Sequence, residues 1–140
     1  MSKNKIICYT DGGARGNPGP AAVGVVINLD GEEKTYSKAI GETTNNIAEY
    51  QAVIFALEKV KQLVGKEKAK KREVEIKADT ELVVKQINRE YKIKNEGLKE
   101  YFIKLWNLTQ DFKNVSFTHV PRSKNKDADK LVNQALDTLV

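Results

Sequence analysis

A short apolar run closed by a carboxylate, with no basic residue beside it, most constrains how this chain folds. Ile6, Ile7, Cys8, Tyr9 and Thr10 form a nearly continuous hydrophobic segment, which suits a strand covered on both faces. Asp11 follows at the expected strand end. Gly12 and Gly13 read as a flexible turn, and Asn17, Pro18, Gly19 and Pro20 as a second one. An acid at the end of a buried strand, beside glycines that let another backbone approach, stands where open sheets bind ligands. Asp11 as a plain turn cap is the competing reading.

The remaining pattern supplies the frame. Ala22 to Leu29 reads as a second strand, Asp30-Gly31 as a hairpin and Lys34 to Ile40 as the returning strand, broken by the polar stretch Gly41 to Asn46. From Ile47 the period lengthens: Tyr50, Val53, Ile54, Leu57, Val60 and Val64 follow helical spacing, ending near Gly65. The basic run Lys66 to Arg72 reads as a solvated loop whose lysines complement the helix carboxyl end. Val74, Ile76 and Ala78 alternate in a fourth strand with Asp79 at its tip, and Thr80 opens a short helix. Leu98 to Phe112 is amphipathic, Val115, Phe117 and His119 alternate in a fifth strand, Pro121 stops it, and a last helix faces inward through Ala128, Leu131, Val132, Ala135 and Leu139. The expectation is one α/β domain over residues 1–140 with a five-stranded mixed sheet, its first three strands antiparallel and the rest parallel to strand one.

A chain of 140 residues buries a sufficient core without disulfides or structural metal. The net charge of +5 leans toward a polyanionic partner. One cysteine and one histidine exclude thiolate-rich or histidine-rich zinc sites. Met1 to Lys5 shows no signal-peptide core, and no apolar stretch is long enough to span a bilayer, so the expected setting is cytoplasmic and reducing, away from membranes.

A right-handed crossover would make strands one and four parallel neighbours. Asp11 and Asp79 would then share one sheet edge, on strands about 4.8 Å apart. Glu49 and Asp129 sit at the borders of the apolar faces near the starts of their helices. Each acid also has a local use: Asn46 and Glu49 as a variant capping box, Asp79 as a cap, Asp129 as an ordinary acid at a helix amino terminus. Four carboxylates converging without cations would repel one another. Divalent metal resolves this, and oxygen-only ligands suit Mg²⁺ or Mn²⁺. Two such ions about 4 Å apart serve in-line phosphoryl transfer.

With these acids in place the chain resembles the type 1 ribonucleases H. The resemblance runs over nearly the whole length, through Tyr9-Thr10-Asp11-Gly12-Gly13, Gly16-Asn17-Pro18-Gly19-Pro20, Thr44-Asn45-Asn46-Ile47-Ala48-Glu49, Ala78-Asp79-Thr80 and His119 to Leu131. It implies a ribonuclease H-like fold and cleavage of the RNA strand of RNA·DNA hybrids, leaving 3′-hydroxyl and 5′-phosphate ends. It further implies Asp11 bridging two metals, Glu49 and Asp79 on the metal near the leaving group, Asp129 on the metal carrying the water, and His119 assisting proton transfer or product release. For substrate it implies 2′-hydroxyl reading by Gly12, Gly13, Asn17 and Asn46, and a DNA phosphate on Thr44. Arg15, Arg122, Lys124 and Lys126 flank the expected site and are candidates for phosphate contact.

Two departures from the resemblance stand out. Glu81 replaces the glutamine many bacterial members carry, and Tyr91 to Gly97 is too short for their lysine-rich, tryptophan-containing helix. A compact monomer with weaker substrate binding is expected. Double-stranded RNA is a further expected substrate, because its A-form shape is shared with the hybrid. Two other readings fit the same residues: a metal-dependent DNA nuclease or junction resolvase of this fold, and a non-catalytic nucleic-acid-binding domain.

Overall fold

The computed structural model describes residues 5–139. The first four residues of the Met1 to Lys5 stretch read above lie outside the described residues. Strand β1 (Ile6–Ala14) is longer than the apolar run that announces it. Asp11 therefore lies inside a strand rather than at its end, and Gly12 and Gly13 are not a turn: they pair with Val23 and Ala22 of β2 (Gly19–Leu29). The misreading has a simple cause. Glycine pairs are ordinarily turn residues, but here the missing side chain of Gly12 admits a helix.

The Asp30-Gly31 hairpin forms as expected, with φ of 50° and 89° at its two central residues. Strand β3 (Glu32–Thr43) then runs past Gly41 instead of stopping there. Gly41, at φ 82°, pairs with Ala21 while Ala39 pairs with Ala22, so the glycine adjoins a bulge at Ile40 rather than a strand end. Helix α1 (Asn45–Val64) begins two residues before its first periodic apolar residue, because Thr44 is the cap: its hydroxyl accepts from the Ile47 amide. Neither Asn46 nor Glu49 is needed as a cap.

The basic run is the clearest correction. Lys66–Ala69 forms a short helix, α2, and Arg72 is 6% exposed. Its guanidinium grips the Asp30 carboxylate through two bonds, at 2.7 and 3.1 Å, tying the β2–β3 hairpin to the foot of β4 (Glu73–Ala78). A lysine could not make this two-pronged contact. After β4 come α3 (Glu81–Ile87), α4 (Glu96–Thr109), β5 (Asn114–His119), a 3-10 turn (Arg122–Lys124) and α5 (Lys126–Asp137). No helix occupies the connection between α3 and α4.

The strand order is β3-β2-β1-β4-β5. The first three strands pair antiparallel, while β4 is parallel to β1 and β5 parallel to β4, as the pattern predicts. Helix α1 packs on one face of the sheet and α5 on the other. Ile6, Cys8, Val23, Val25 and Ile27 turn toward α1 and are fully buried. The opposite face is covered more thinly, where Ala22 meets Val132 and Leu136. With the sheet on one side and α4 on the other, α1 is apolar around most of its circumference.

Two glycines set how closely the helices approach. A methyl group on Gly12 would lie 2.1 Å from the Ala48 carbonyl oxygen, and one on Gly24 would lie 2.4 Å from that of Ala128. By contrast, Gly31 has nothing within 4 Å but keeps a left-handed φ. Gly12→Ala is expected to cost about 3 kcal/mol or more through displacement of α1. Gly31→Ala should cost only about 1–2 kcal/mol, through backbone strain. Urea unfolding of both variants checks the ranking.

Candidate active site

Strand β4 stops at Ala78 opposite Thr10, whereas β1 continues to Ala14. Beyond that point the β4-facing side of β1 has no strand partner, and the helix starts fill the gap. The Ala14 amide donates to Asn45 Oδ1 at 2.8 Å, and Asn125 Nδ2 donates to the Thr10 carbonyl at 2.8 Å. Asn17 Oδ1 in turn accepts from the Asn45 amide at 3.0 Å. Side chains from both helix amino termini thus replace the missing ladder around Asp11.

The same arrangement brings the acids together. Asp11 stands opposite Gly24 in the ladder, on the sheet face that α5 covers. Asp129 follows Ala128, whose carbonyl rests on Gly24, and Glu49 follows Ala48, whose carbonyl rests on Gly12. Asp79 leaves the end of β4. It is not a cap, because Thr80 caps α3 by accepting from the Val83 amide. Asp11, Glu49, Asp79 and Asp129 line one open cavity of about 570 Å³, together with Gly12, Gly13, Arg15, Asn45, His119 and Arg122. His119, the exposed last residue of β5, is the register partner of Ala78.

The other candidates have structural engagements of their own or lie outside this cavity. Thr44 is spent on the α1 cap, Asn17 holds the Asn45 amide, and Asn46 is exposed in the first turn of α1. Lys124 and Lys126 line a separate cavity with Tyr9, Glu33 and Asn125. Arg15 is paired with Asp137 at 2.6 Å, an exposed contact that costs little to break. Glu81 is held by Lys85 at 3.0 Å and accepts from the Tyr91 hydroxyl at 3.2 Å. An apolar groove of about 590 Å³ runs past Trp106 and Phe117 but carries no carboxylate among its described residues.

Sequence reasoning passed over Asn125, which is 1% exposed. An asparagine just before a helix reads as a cap. Its side chain makes no cap bond and instead crosses to Thr10, leaving Oδ1 buried without a partner.

Crowding has an electrostatic cost. Burial, then the charge of Asp79, then a hydrogen bond with Asp129 and the charges of Asp129 and Glu49 push Asp11 up to about 8. Burial likewise raises Glu49 to about 7, assisted by Asp79 and opposed by a hydrogen bond from Thr80. Among the described residues no three carboxylate or imidazole groups form a ready-made metal-ligand cluster. The donor set is nevertheless oxygen-only, and its mutual repulsion is of the kind a divalent cation relieves, which fits Mg²⁺ or Mn²⁺.

This sheet order, with acids gathered at the end of β4, defines a protein of the ribonuclease H-like class. The family described as "Reverse transcriptase-like" matches residues 9–135. LC11-RNase H1, solved in complex with RNA/DNA hybrid, is 49% identical and superposes with a TM-score of 0.90 over 96% of this chain and 99% of that one. Ribonuclease HI of Halobacterium salinarum is 39% identical, across 95% of this chain and 65% of that protein. A bifunctional protein of Mycobacterium tuberculosis is 35% identical across 95% of this chain, which spans 36% of that protein's length. The chain belongs to the type 1 ribonuclease H family, in its compact form.

The raised carboxyl groups make a signed prediction for the metal-free protein. Between the ordinary value of 3.8 and about 8, folded Asp11 keeps a proton that the unfolded chain has lost. Its contribution to stability is therefore full below 3.8 and withdrawn as pH rises through about 8. Glu49 acts in the same sense between 4.5 and about 7. The urea midpoint of metal-free protein should fall across this window, and added Mg²⁺ should offset the fall at its upper end. A midpoint indifferent to pH and to Mg²⁺ would contradict the coupling.

Proposed function

We propose that this chain is an endoribonuclease that hydrolyses the RNA strand of RNA·DNA hybrids, leaving 3′-hydroxyl and 5′-phosphate ends. The observation that carries this reading is the convergence of Asp11, Glu49, Asp79 and Asp129 on one open cavity, in a chain of this family. The hybrid bound by LC11-RNase H1 supports the choice of substrate. Asp11 would hold two Mg²⁺ ions, or Mn²⁺ in their place, with Glu49 and Asp79 on one and Asp129 on the other. When bound, such a pair supplies an activated water and steadies the leaving oxygen.

The protein groups supply the rest. The exposed His119 imidazole takes up and returns a proton beside the acids. Arg122 at the cavity, and Arg15 once released from Asp137, bind phosphates. The exposed Lys124 extends this basic surface, and Thr44, whose hydroxyl oxygen accepts in the α1 cap, offers its amide and its hydroxyl proton to a phosphate of the DNA strand. Gly12, Gly13, Asn17 and Asn46 read the sugar edge, where a 2′-hydroxyl tells RNA from DNA. A monomer in a reducing, cytoplasmic setting completes the reading. Among the described residues no helix is long and apolar enough to cross a membrane.

End-labelled RNA·DNA hybrid, double-stranded RNA, double-stranded DNA and single-stranded RNA, each incubated with Mg²⁺, Mn²⁺ or EDTA, test the proposal. Hybrid should be cut with either ion and untouched in EDTA, and double-stranded RNA should be cut more slowly. Asp11→Asn should lower cleavage by about three orders of magnitude while leaving hybrid binding intact. His119→Ala should slow cleavage by about a hundredfold. Preferential cutting of double-stranded DNA would replace this reading with that of a DNA nuclease of the same fold.

A further inference from the structure

Thr80 is the residue that joins two of the four acids mechanically. It directly follows Asp79, it is 7% exposed, and its hydroxyl serves two elements at once. Toward α3 the oxygen accepts from the Val83 amide at 3.5 Å. Toward α1 the same oxygen donates to Glu49 Oε2. A hydroxyl has one proton, and the Val83 amide occupies the acceptor side, so the proton is directed to Glu49. Only Oε2 is engaged by this bond, and Oε1 takes no part in it.

Glutamate carries three rotatable side-chain bonds, and ordering such a chain costs conformational entropy. Glu49 reaches the cavity from α1, on the far side of the sheet from α5. Without an anchor its carboxylate would sample several positions relative to Asp79. We infer that Thr80 is a positioning residue for divalent-metal binding: its hydroxyl fixes the Glu49 carboxylate beside Asp79, so that the two acids act on an incoming ion as one unit. This rests on the assignment of Glu49 and Asp79 as metal ligands. Hydrogen-bonded partners of metal ligands commonly control affinity by about ten- to a hundredfold.

The helix cap is the alternative role, and the variants separate the two. Thr80→Ser keeps both hydrogen bonds. Thr80→Val keeps the shape but loses the hydroxyl, and with it the cap. Thr80→Gly loses the hydroxyl while glycine remains a tolerable cap. Calorimetric titration of the substrate-free proteins with Mn²⁺ gives the affinity without reference to turnover, and thermal melting reports the cap. Affinity should fall about tenfold in Thr80→Val and Thr80→Gly alike and stay within about twofold of the parent in Thr80→Ser, although melting drops further for Val than for Gly.

In a Glu49→Gln background, Thr80→Val should add almost nothing to the loss of affinity. Parent-like Mn²⁺ binding by Thr80→Val, or affinity that merely follows melting temperature across the series, would overturn the inference. So would an undiminished effect of Thr80→Val in the Glu49→Gln background. A parent protein that binds no Mn²⁺ would instead remove the metal assignment itself, and this inference with it.

Discussion

The site depends on two places where helix backbone touches strand backbone. At Gly12 and Gly24 any side chain would collide with a carbonyl oxygen of α1 or α5. Both glycines adjoin Asp11, one next in sequence and the other across the ladder. The residues whose carbonyls make the contacts, Ala48 and Ala128, immediately precede Glu49 and Asp129. The spacing among three of the acids is therefore inherited from backbone packing, which is stiffer than side-chain packing because it has no rotamers to relax. A helix held this way cannot drift without losing the burial of Tyr50, Val53 and Leu57 behind it.

Local conflict surrounds that contact, as it commonly does where a chain keeps a function. Asp11 and Glu49 are crowded by burial and by the charge of Asp79, while Asn125 leaves a buried carbonyl oxygen unpaired at a cost of about 1–3 kcal/mol. The compensations lie close by. Thr44 and Thr80 take over the capping, which frees the neighbouring acids for the cavity. Asn45 and Asn125 close the open side of β1. At the other end of the sheet, Arg72 holds the β2–β3 hairpin against β4 through Asp30.

Much of this was readable before folding. Alternation along Val74, Ile76 and Ala78, and the lengthened period after Ile47, announced β4 and α1, because β4 buries every second residue and the large apolar residues of α1 recur at helical spacing. The errors fall where one residue type has two structural uses. Gly12 and Gly13 resemble a turn, yet both lie inside a strand, where Gly12 serves close approach. Gly41 resembles a strand end, yet adjoins a bulge. Arg72 looks like one more solvated cation in a basic run, but only the folded hairpin places Asp30 within its reach. Asn125 had no distinguishing signal, since its partner Thr10 is far away along the chain.

By itself the sequence determined the order and type of the main elements, α2 excepted, and it marked Asp11, Glu49, Asp79 and Asp129 as the candidate site acids. Periodicity carries that information because it records which face of each element must leave water. Only the tertiary structure decided that Asp11, Glu49, Asp79 and Asp129 share one cavity, and that Thr80 and Asn125 tie its walls together. Those outcomes depend on parallel pairing of β1 with β4 and on contacts between backbones distant in sequence, which no local pattern encodes.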